Sequence, residues 1–429
     1  MFLTMHEHTQ RTLCRLGFVM LGALPTAALL VWACWLGTPS HAVRCEESLA
    51  RQLGLNVRIG QVEHPRPGQL RLRDVALAEP ETRETVATMP RLDINTTSRG
   101  TIVRLTEPRI VAVALAGLWT RLSQHLTAAH DPLRFEAASL IWQGPGTDYS
   151  LANIAGGVSY SDKVGQAYLS FALDAPAARP VRMRVVRDRR HTPPRVTWEM
   201  QTPNTAIPCG LAWPWVDVPA WLGDSCRFRG TLRGEQSAVG SQTEIVGQFV
   251  EVDLRQLVTE HFPHHLSGLA ELQVHAARLV NGRIDRLSAA AVAGPGQISR
   301  SLLAGSWAML EMPGGPLPPP AVDRIAYERL ALAFLLDPRG LMIEGRCSKE
   351  TPAAVLVDSN KVLLNRPNRP QSAASLVRLL CPPTTHVVPH VREAESLLRV
   401  LPLPVAPAGS AVDSAAEAAT PRNAASAPR

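Results

Sequence analysis

The sequence predicts a mainly β (α+β) protein: an N-terminal transmembrane helix followed by a long curved antiparallel sheet with a few short packing helices. Three observations carry that expectation. One uncharged apolar run, Leu16 to Leu36, stands near the N-terminus, and no second run of that length follows it. Most of the remaining chain alternates apolar and polar residues with a period of two, the spacing of a strand with one dry and one wet face. Clusters of Gly, Pro, Asn and Asp interrupt these runs at short intervals, as turns do.

At ~1.5 Å per helical residue the apolar run covers roughly 30 Å, the thickness of a bilayer's hydrocarbon core. Pro25 lies inside it, which membrane helices tolerate. Arg11 and Arg15 precede the run, whereas Arg44 and Arg51 beyond it are mixed with Glu46 and Glu47. The positive-inside bias therefore keeps residues 1–15 in the cytoplasm and exports the body. Trp32 and Trp35 suit an interfacial aromatic belt at the outer end. A cleaved signal peptide is the competing reading, because Ser40-His41-Ala42 has the small-x-small pattern of a processing site. Its apolar segment is usually ~7–15 residues, shorter than this run.

Residues 41–130 read as a membrane-proximal helix and a first β unit. Val43 to Leu53 carries Leu49 and Leu53 one turn apart, with Glu47 four residues before Arg51, and Gly54 is placed to end the helix. Asn56 to Val62 is a period-2 strand, Pro65-Arg66-Pro67-Gly68 a turn, and Gln69 to Ala78 a second strand. In that second strand the apolar parity changes from Leu70 and Leu72 to Val75 and Leu77, which an inserted residue near Asp74, a β-bulge, would produce. Leu118, Leu122 and Leu126 mark a short helix.

Residues 131–345 read as an extended antiparallel β body. Leu169 and Phe171 alternate with polar neighbours, as do Met183 and Val185, Val196 and Trp198, and Phe228 and Leu232. Asn281-Gly282 is the dipeptide that a type I′ hairpin prefers, and Asp337-Pro338-Arg339-Gly340 marks a second turn. Helices are expected over Val252 to Phe262 and Ile298 to Leu310, with a Pro/Gly linker from Met312 to Pro320. Residues 346–403 hold a strand and helices over Ser372 to Leu380 and Val391 to Leu401; residues 404–429, rich in Ala, Ser and Pro, read as a disordered tail.

The formal net charge is +7 over 429 residues, and Lys occurs only at Lys163, Lys349 and Lys361. The arginines are spread along alternating strands rather than clustered, so nucleic-acid binding is not expected and the wet face of a sheet is. Five cysteines lie beyond the apolar run, at Cys45, Cys209, Cys226, Cys347 and Cys381, without metal-ligand spacing. Cys209 and Cys226 bracket a Trp-rich loop, Leu211 to Leu222, and could close a disulfide in an oxidising compartment. The histidine-rich segment Glu260-His261-Phe262-Pro263-His264-His265 contains a helix-breaking proline between His261 and His265, so a solvated helix end is expected there rather than a metal site. No GxSxG, HExxH or phosphate-binding loop is present, and no catalytic set, metal or cofactor is expected.

Leu53-Gly54-Leu55-Asn56-Val57-Arg58-Ile59-Gly60-Gln61-Val62 and Gly68-Gln69-Leu70-Arg71-Leu72-Arg73-Asp74-Val75-Ala76-Leu77, directly after one membrane helix, resemble the entry to AsmA-like proteins. Ser267 to Leu272, Asn281 to Ile284 and Ala293 to Ile298 resemble that family's later repeats. The resemblance implies a curved sheet anchored in the inner membrane and projecting into the periplasm, with an apolar groove for phospholipid and no catalytic residues. Leu169, Phe171, Met183, Val185, Val196, Trp198, Phe228 and Leu232 are then the groove candidates. In a closed sandwich the same residues are ordinary core, and the protein is a structural or scaffolding envelope component.

Overall fold

The structure, a computed structural model, describes residues 7–36, 38–98, 100–111, 132–144, 147–173, 179–202, 205–212, 222–317, 319–347, 351–359, 361–382, 397 and 399–402. The helix expected around Leu122, most of the Trp-rich loop, most of the Val391 to Leu401 segment and the 404–429 tail lie outside those residues. Strands predominate and helices are few. The chain divides into two compact units: Met1–Glu260 with Ser267–His275, and His261–Leu266 with Ala276–Arg429.

The first unit opens with α1 (Glu7–Phe18), a π-helical turn (Val19–Ala23) and α2 (Leu24–Leu36). The wide turn has a local cause: Pro25 has no N–H to give the carbonyl four residues back, and its ring crowds that carbonyl. Thr26 Oγ1 donates to the Gly22 carbonyl at 2.7 Å, satisfying one acceptor that the irregularity frees. The stretch Arg11–Val31 is long and apolar enough to cross a membrane, and its most apolar part has no buried residue. A signal sequence shares that length and composition.

Helix α3 (Pro39–Leu53) begins four residues before the expected Val43. Thr38 is extended at its N-cap and Pro39 supplies a preset φ at the first position. Gly54, at φ 67°, ends the helix, with its N–H donating to the Ala50 carbonyl at 2.8 Å. Glu46 Oε1 accepts the Ile59 N–H at 2.7 Å, which ties the helix to the first strand. Cys45, Leu49, Ala50 and Leu53 cover a cluster of Val57, Ile59, Leu72, Val75, Ala87, Met89 and Leu92.

That cluster is built by β1 (Asn56–Glu63), β2 (Gln69–Ala78) and β3 (Thr85–Thr97), an antiparallel meander. The change of apolar parity in β2 is real, but no residue is inserted near Asp74. Ile59 pairs with Val75 and Gln61 with Arg73, so the register is the same on both sides. Asp74 instead takes a left-handed φ of 51°, which turns Leu70 and Leu72 and then Val75 and Leu77 toward one core. By register Asp74 stands between Gly60 of β1 and Pro90 of β3, and all three strands change parity along this row. A Cβ at Gly60 would approach the Asp74 Cβ to 3.0 Å, and Pro90 offers no N–H; both residues suit the break.

Next come β4 (Gly100–Thr106) and β5 (Arg109–Val111), consecutive pieces of one strand interrupted at Glu107 (φ 43°) and Pro108. Both pair with β3 antiparallel and with β6 (Leu133–Gln143) in parallel. This parallel step corrects the expectation of a purely antiparallel sheet: alternation reports which face a residue occupies and carries no information on a neighbour's direction. The antiparallel ladder resumes through β7 (Asp148–Ser161), β8 (Val164–Leu173), β9 (Val181–Asp188) and β10 (Arg195–Gln201). It continues to β12 (Arg227–Ser237), beside which lies the short β11 (Ile207–Pro208), and to β13 (Gly240–Asp253). A four-residue helix, α4 (Cys209–Ala212), follows β11. The helix expected over Val252 to Phe262 is replaced by the end of β13 and a π-helical turn, Arg255–Thr259.

The second unit receives the end of β14 (Leu269–Val280). Asn281 and Gly282 follow at φ 52° and 76°, both positive as a type I′ turn requires, and β15 (Arg283–Ala293) leaves them. β16 (Gly296–Ser299) pairs with β17 (Arg324–Tyr327) around α5 (Arg300–Leu310), whose first turn is capped by Ser299 Oγ accepting the Leu302 N–H. β18 (Arg329–Asp337) pairs with β15, with β19 (Gly340–Gly345) through a two-residue Pro338-Arg339 turn, and with β20 (Ala354–Asp358). β21 (Lys361–Asn365) pairs with β20, and α6 (Ala373–Leu380) is capped by Ser372.

Candidate functional site

The eight groove candidates share one face of the β8–β12 ladder. Leu169 opposes Met183, Met183 opposes Met200, and Met200 opposes Leu232, so one apolar row crosses four strands. At ~4.8 Å per strand step this row is roughly 14 Å long. A second row sets Val185 opposite Trp198 and Trp198 opposite Gly234. Phe171, Val196 and Phe228 join the face through the period-2 pleat.

Two glycines shape it. The Trp198 indole lies across Gly234, where an added Cβ would come within 2.0 Å of Cε2, so only a glycine admits the ring flat on β12. The Phe228 ring covers the opposed pair Gly230 and Gly247 and packs on Phe249 at 4.9 Å between centroids. Thr202, at the end of β10, is 1% exposed: its N–H donates to the Gly230 carbonyl at 2.9 Å and its Oγ1 accepts the Gly230 N–H at 2.6 Å. Nothing in the sequence singles Thr202 out, because a lone threonine after a strand has no patterned signal.

Burial divides the face. Phe171, Met183, Phe228 and Leu232 are buried, at 4%, 7%, 1% and 2% exposure, whereas Leu169, Val185, Val196 and Trp198 are only half-buried. The half-open end finishes in a polar lip, since Val196 opposes Arg187 on one side and Gln236 on the other.

The reverse face is an ionic ladder. Arg184, Glu199, Arg233 and Glu244 stand opposite one another in turn across β9, β10, β12 and β13. Arg233 bonds Glu199 at 2.9 Å, and Arg195 bonds Glu235 at 2.6 Å. The Glu199 carboxyl is held below the usual carboxylate range by a hydrogen bond from the Gln201 amide and, against the cost of burial, by Arg233. A shallow depression of about 390 Å³ opens among Arg184, Glu199, Arg233, Glu235, Glu244 and the Trp198–Gly234 pair. Its charged groups are neutralised in pairs, a solvated surface rather than a set of free reactive groups.

Cys209 and Cys226 stand opposite each other. Both are buried, with their sulfurs 2.7 Å apart and the Cys209 N–H donating to the Cys226 carbonyl at 2.8 Å. At the membrane end, the Arg44 guanidinium lies 5.4 Å over the exposed Trp35 ring. The histidine segment departs from expectation at one position. His264 is 7% exposed rather than solvated; its Nε2–H donates to the Leu379 carbonyl at 2.7 Å, which leaves Nδ1 to accept from Ser301 Oγ at 3.0 Å. Among the described residues no group of three or more His, Cys, Asp or Glu side chains is arranged to hold a metal ion.

No family model, curated protein or solved structure matches this chain.

Proposed function

We propose that this chain is an AsmA-like, single-pass inner-membrane protein with its N-terminus inside and its β body in the periplasm, where it assists phospholipid transport or envelope biogenesis without enzymatic chemistry. The observation that carries the reading is the half-open end of the apolar face: Leu169, Val185, Val196 and Trp198 keep part of their surface exposed on a sheet that follows a membrane-length helix. An apolar surface of this kind gains ~25 cal/mol for each Å² it covers, and acyl chains are the apolar matter nearest a tethered sheet. Trp35 and Arg44 fit the outer headgroup layer, the ring in the interface and the guanidinium toward phosphate.

The test is photocrosslinking of the full-length protein in cells, with a diazirine amino acid at Val185, Trp198, Phe228 or Leu232, followed by mass spectrometry of the adducts. Phospholipid adducts at Val185 and Trp198 are expected, with fewer at Phe228 and Leu232. Absence of lipid at Val185 and Trp198, with no transfer between vesicles, overturns the reading. The second reading, a scaffold with a closed β-core and no lipid cargo, is favoured by the near-complete burial of Phe171, Met183, Phe228 and Leu232.

A further inference from the structure

We propose that Cys209 and Cys226 are joined by a disulfide in the mature protein, a cross-link independent of the lipid reading. The register supplies the first argument. Ile207 pairs with Phe228 and Pro208 with Arg227, so the next position of the same antiparallel pair sets Cys209 directly opposite Cys226. Their backbones hold that alignment through the Cys209 N–H bond to the Cys226 carbonyl, 2.8 Å. The side chains supply the second: the two sulfurs meet at 2.7 Å in a site where the cysteines are 7% and 0% exposed. Opposed strand residues bring their Cβ atoms to ~4.5–5.5 Å, within about an ångström of the spacing that a disulfide spans. Cys347 shows what an unpaired buried thiol does in this protein: its Sγ lies 3.0 Å from the Val355 carbonyl.

The chemistry balances with a dithiol–disulfide oxidant of the thioredoxin-like class. One cysteine thiolate attacks the oxidant's disulfide and releases one of its sulfurs as a thiol. The second cysteine then attacks the mixed disulfide, forming the Cys209–Cys226 bond and releasing the other sulfur. Two protons and two electrons leave the protein, and the oxidant becomes a dithiol. Because both sulfurs are covered in the fold, this exchange precedes final packing. The bond closes residues 210–225, a segment holding Trp213, Trp215 and Trp221, and fixes its base beside β7, where Gly210 sits against the Tyr149 hydroxyl.

The experiment is differential alkylation of the full-length protein taken directly from membranes. Free thiols are blocked with N-ethylmaleimide in denaturant, and the protein is digested without reduction and analysed by mass spectrometry. A Cys209–Cys226 linked peptide, two hydrogens lighter than the pair of thiol peptides, is expected, with the link lost after reduction. Maleimide on both cysteines, or a link from either one to Cys45, Cys347 or Cys381, overturns the proposal. The readout uses the unaltered protein and needs no folded variant. An intact disulfide alongside absent lipid adducts would defeat the lipid reading alone, and the reverse pattern would defeat this one alone.

Discussion

Gly234→Ala puts a methyl group where the Trp198 indole now lies. The new carbon would stand 2.0 Å from Cε2, and non-bonded carbons settle at ~3.5–4.0 Å, so the ring has to withdraw by about 1.5 Å or swing off β12. A tryptophan buries ~150–250 Å² in a core; a half-buried one that leaves its seat returns about 100 Å² to water, or ~2.5 kcal/mol at ~25 cal/mol/Å². Replacing glycine within a strand recovers ~0.5–1 kcal/mol of backbone entropy, which leaves a net destabilisation of about 2 kcal/mol. Urea unfolding of the full-length protein in mild detergent, followed by the β signal in circular dichroism, measures it. The decisive comparison is Gly234→Ala in a Trp198→Val background, where the cost should vanish. A loss below 0.5 kcal/mol in the natural background, or an undiminished loss without the indole, refutes the reasoning.

Burial by itself would raise the Asp93 carboxyl, but bonds from Arg71 and Arg91, each 2.7 Å, outweigh it and hold the group below its usual range. Its stabilising contribution is complete above the unfolded-state value and is lost as pH falls through the lower folded value. Asp93→Asn should therefore weaken the acid dependence of unfolding below about pH 4, measured by the same titration at stepped pH, and an unchanged acid limb would contradict it. At the left-handed Asp74, glycine should be neutral or stabilising by up to ~1 kcal/mol while valine costs ~1–2 kcal/mol; equal stabilities for the two variants would show that the φ does not matter. His264→Phe removes the partners of the Leu379 carbonyl and the Ser301 hydroxyl, and should cost ~1–3 kcal/mol and raise amide exchange in α5 and α6; unchanged exchange there would count against the bridge. Intact-mass measurement of protein from membranes should show the residues before Ala42 retained, and a mature N-terminus at Val43 would replace the anchor with a signal peptide.

Strand existence was legible wherever one face is dry, because period-2 alternation depends only on which side faces water. Leu169, Met183, Val196 and Leu232 were placed on one face for that reason, and the register agrees. Turns were legible where a backbone conformation demands particular residues, as at Asn281-Gly282. The parallel contact of β4 and β5 with β6 was not legible, since its partners meet through a long-range contact that leaves no local pattern. The helix expected at Val252 to Phe262 shows the opposite error: a short apolar stretch fits helix and strand alike, and the pairing of β13 along β12 decided it. Neither the division of the apolar face into buried and half-open ends nor the seating of Trp198 on Gly234 could be read beforehand. Both depend on what lies opposite, and a single strand's sequence does not say.

The row formed by Gly60, Asp74 and Pro90 couples the histories of three strands. An insertion or deletion in one of them would move its apolar side chains off the core while its neighbours stayed in place, so length changes there are expected in concert or not at all. Distant relatives should show this as co-variation: a residue tolerant of left-handed backbone at the Asp74 position should accompany a small residue at Gly60. Aligning all three strands on that row, rather than each on its own hydrophobic pattern, is the more sensitive way to find such relatives.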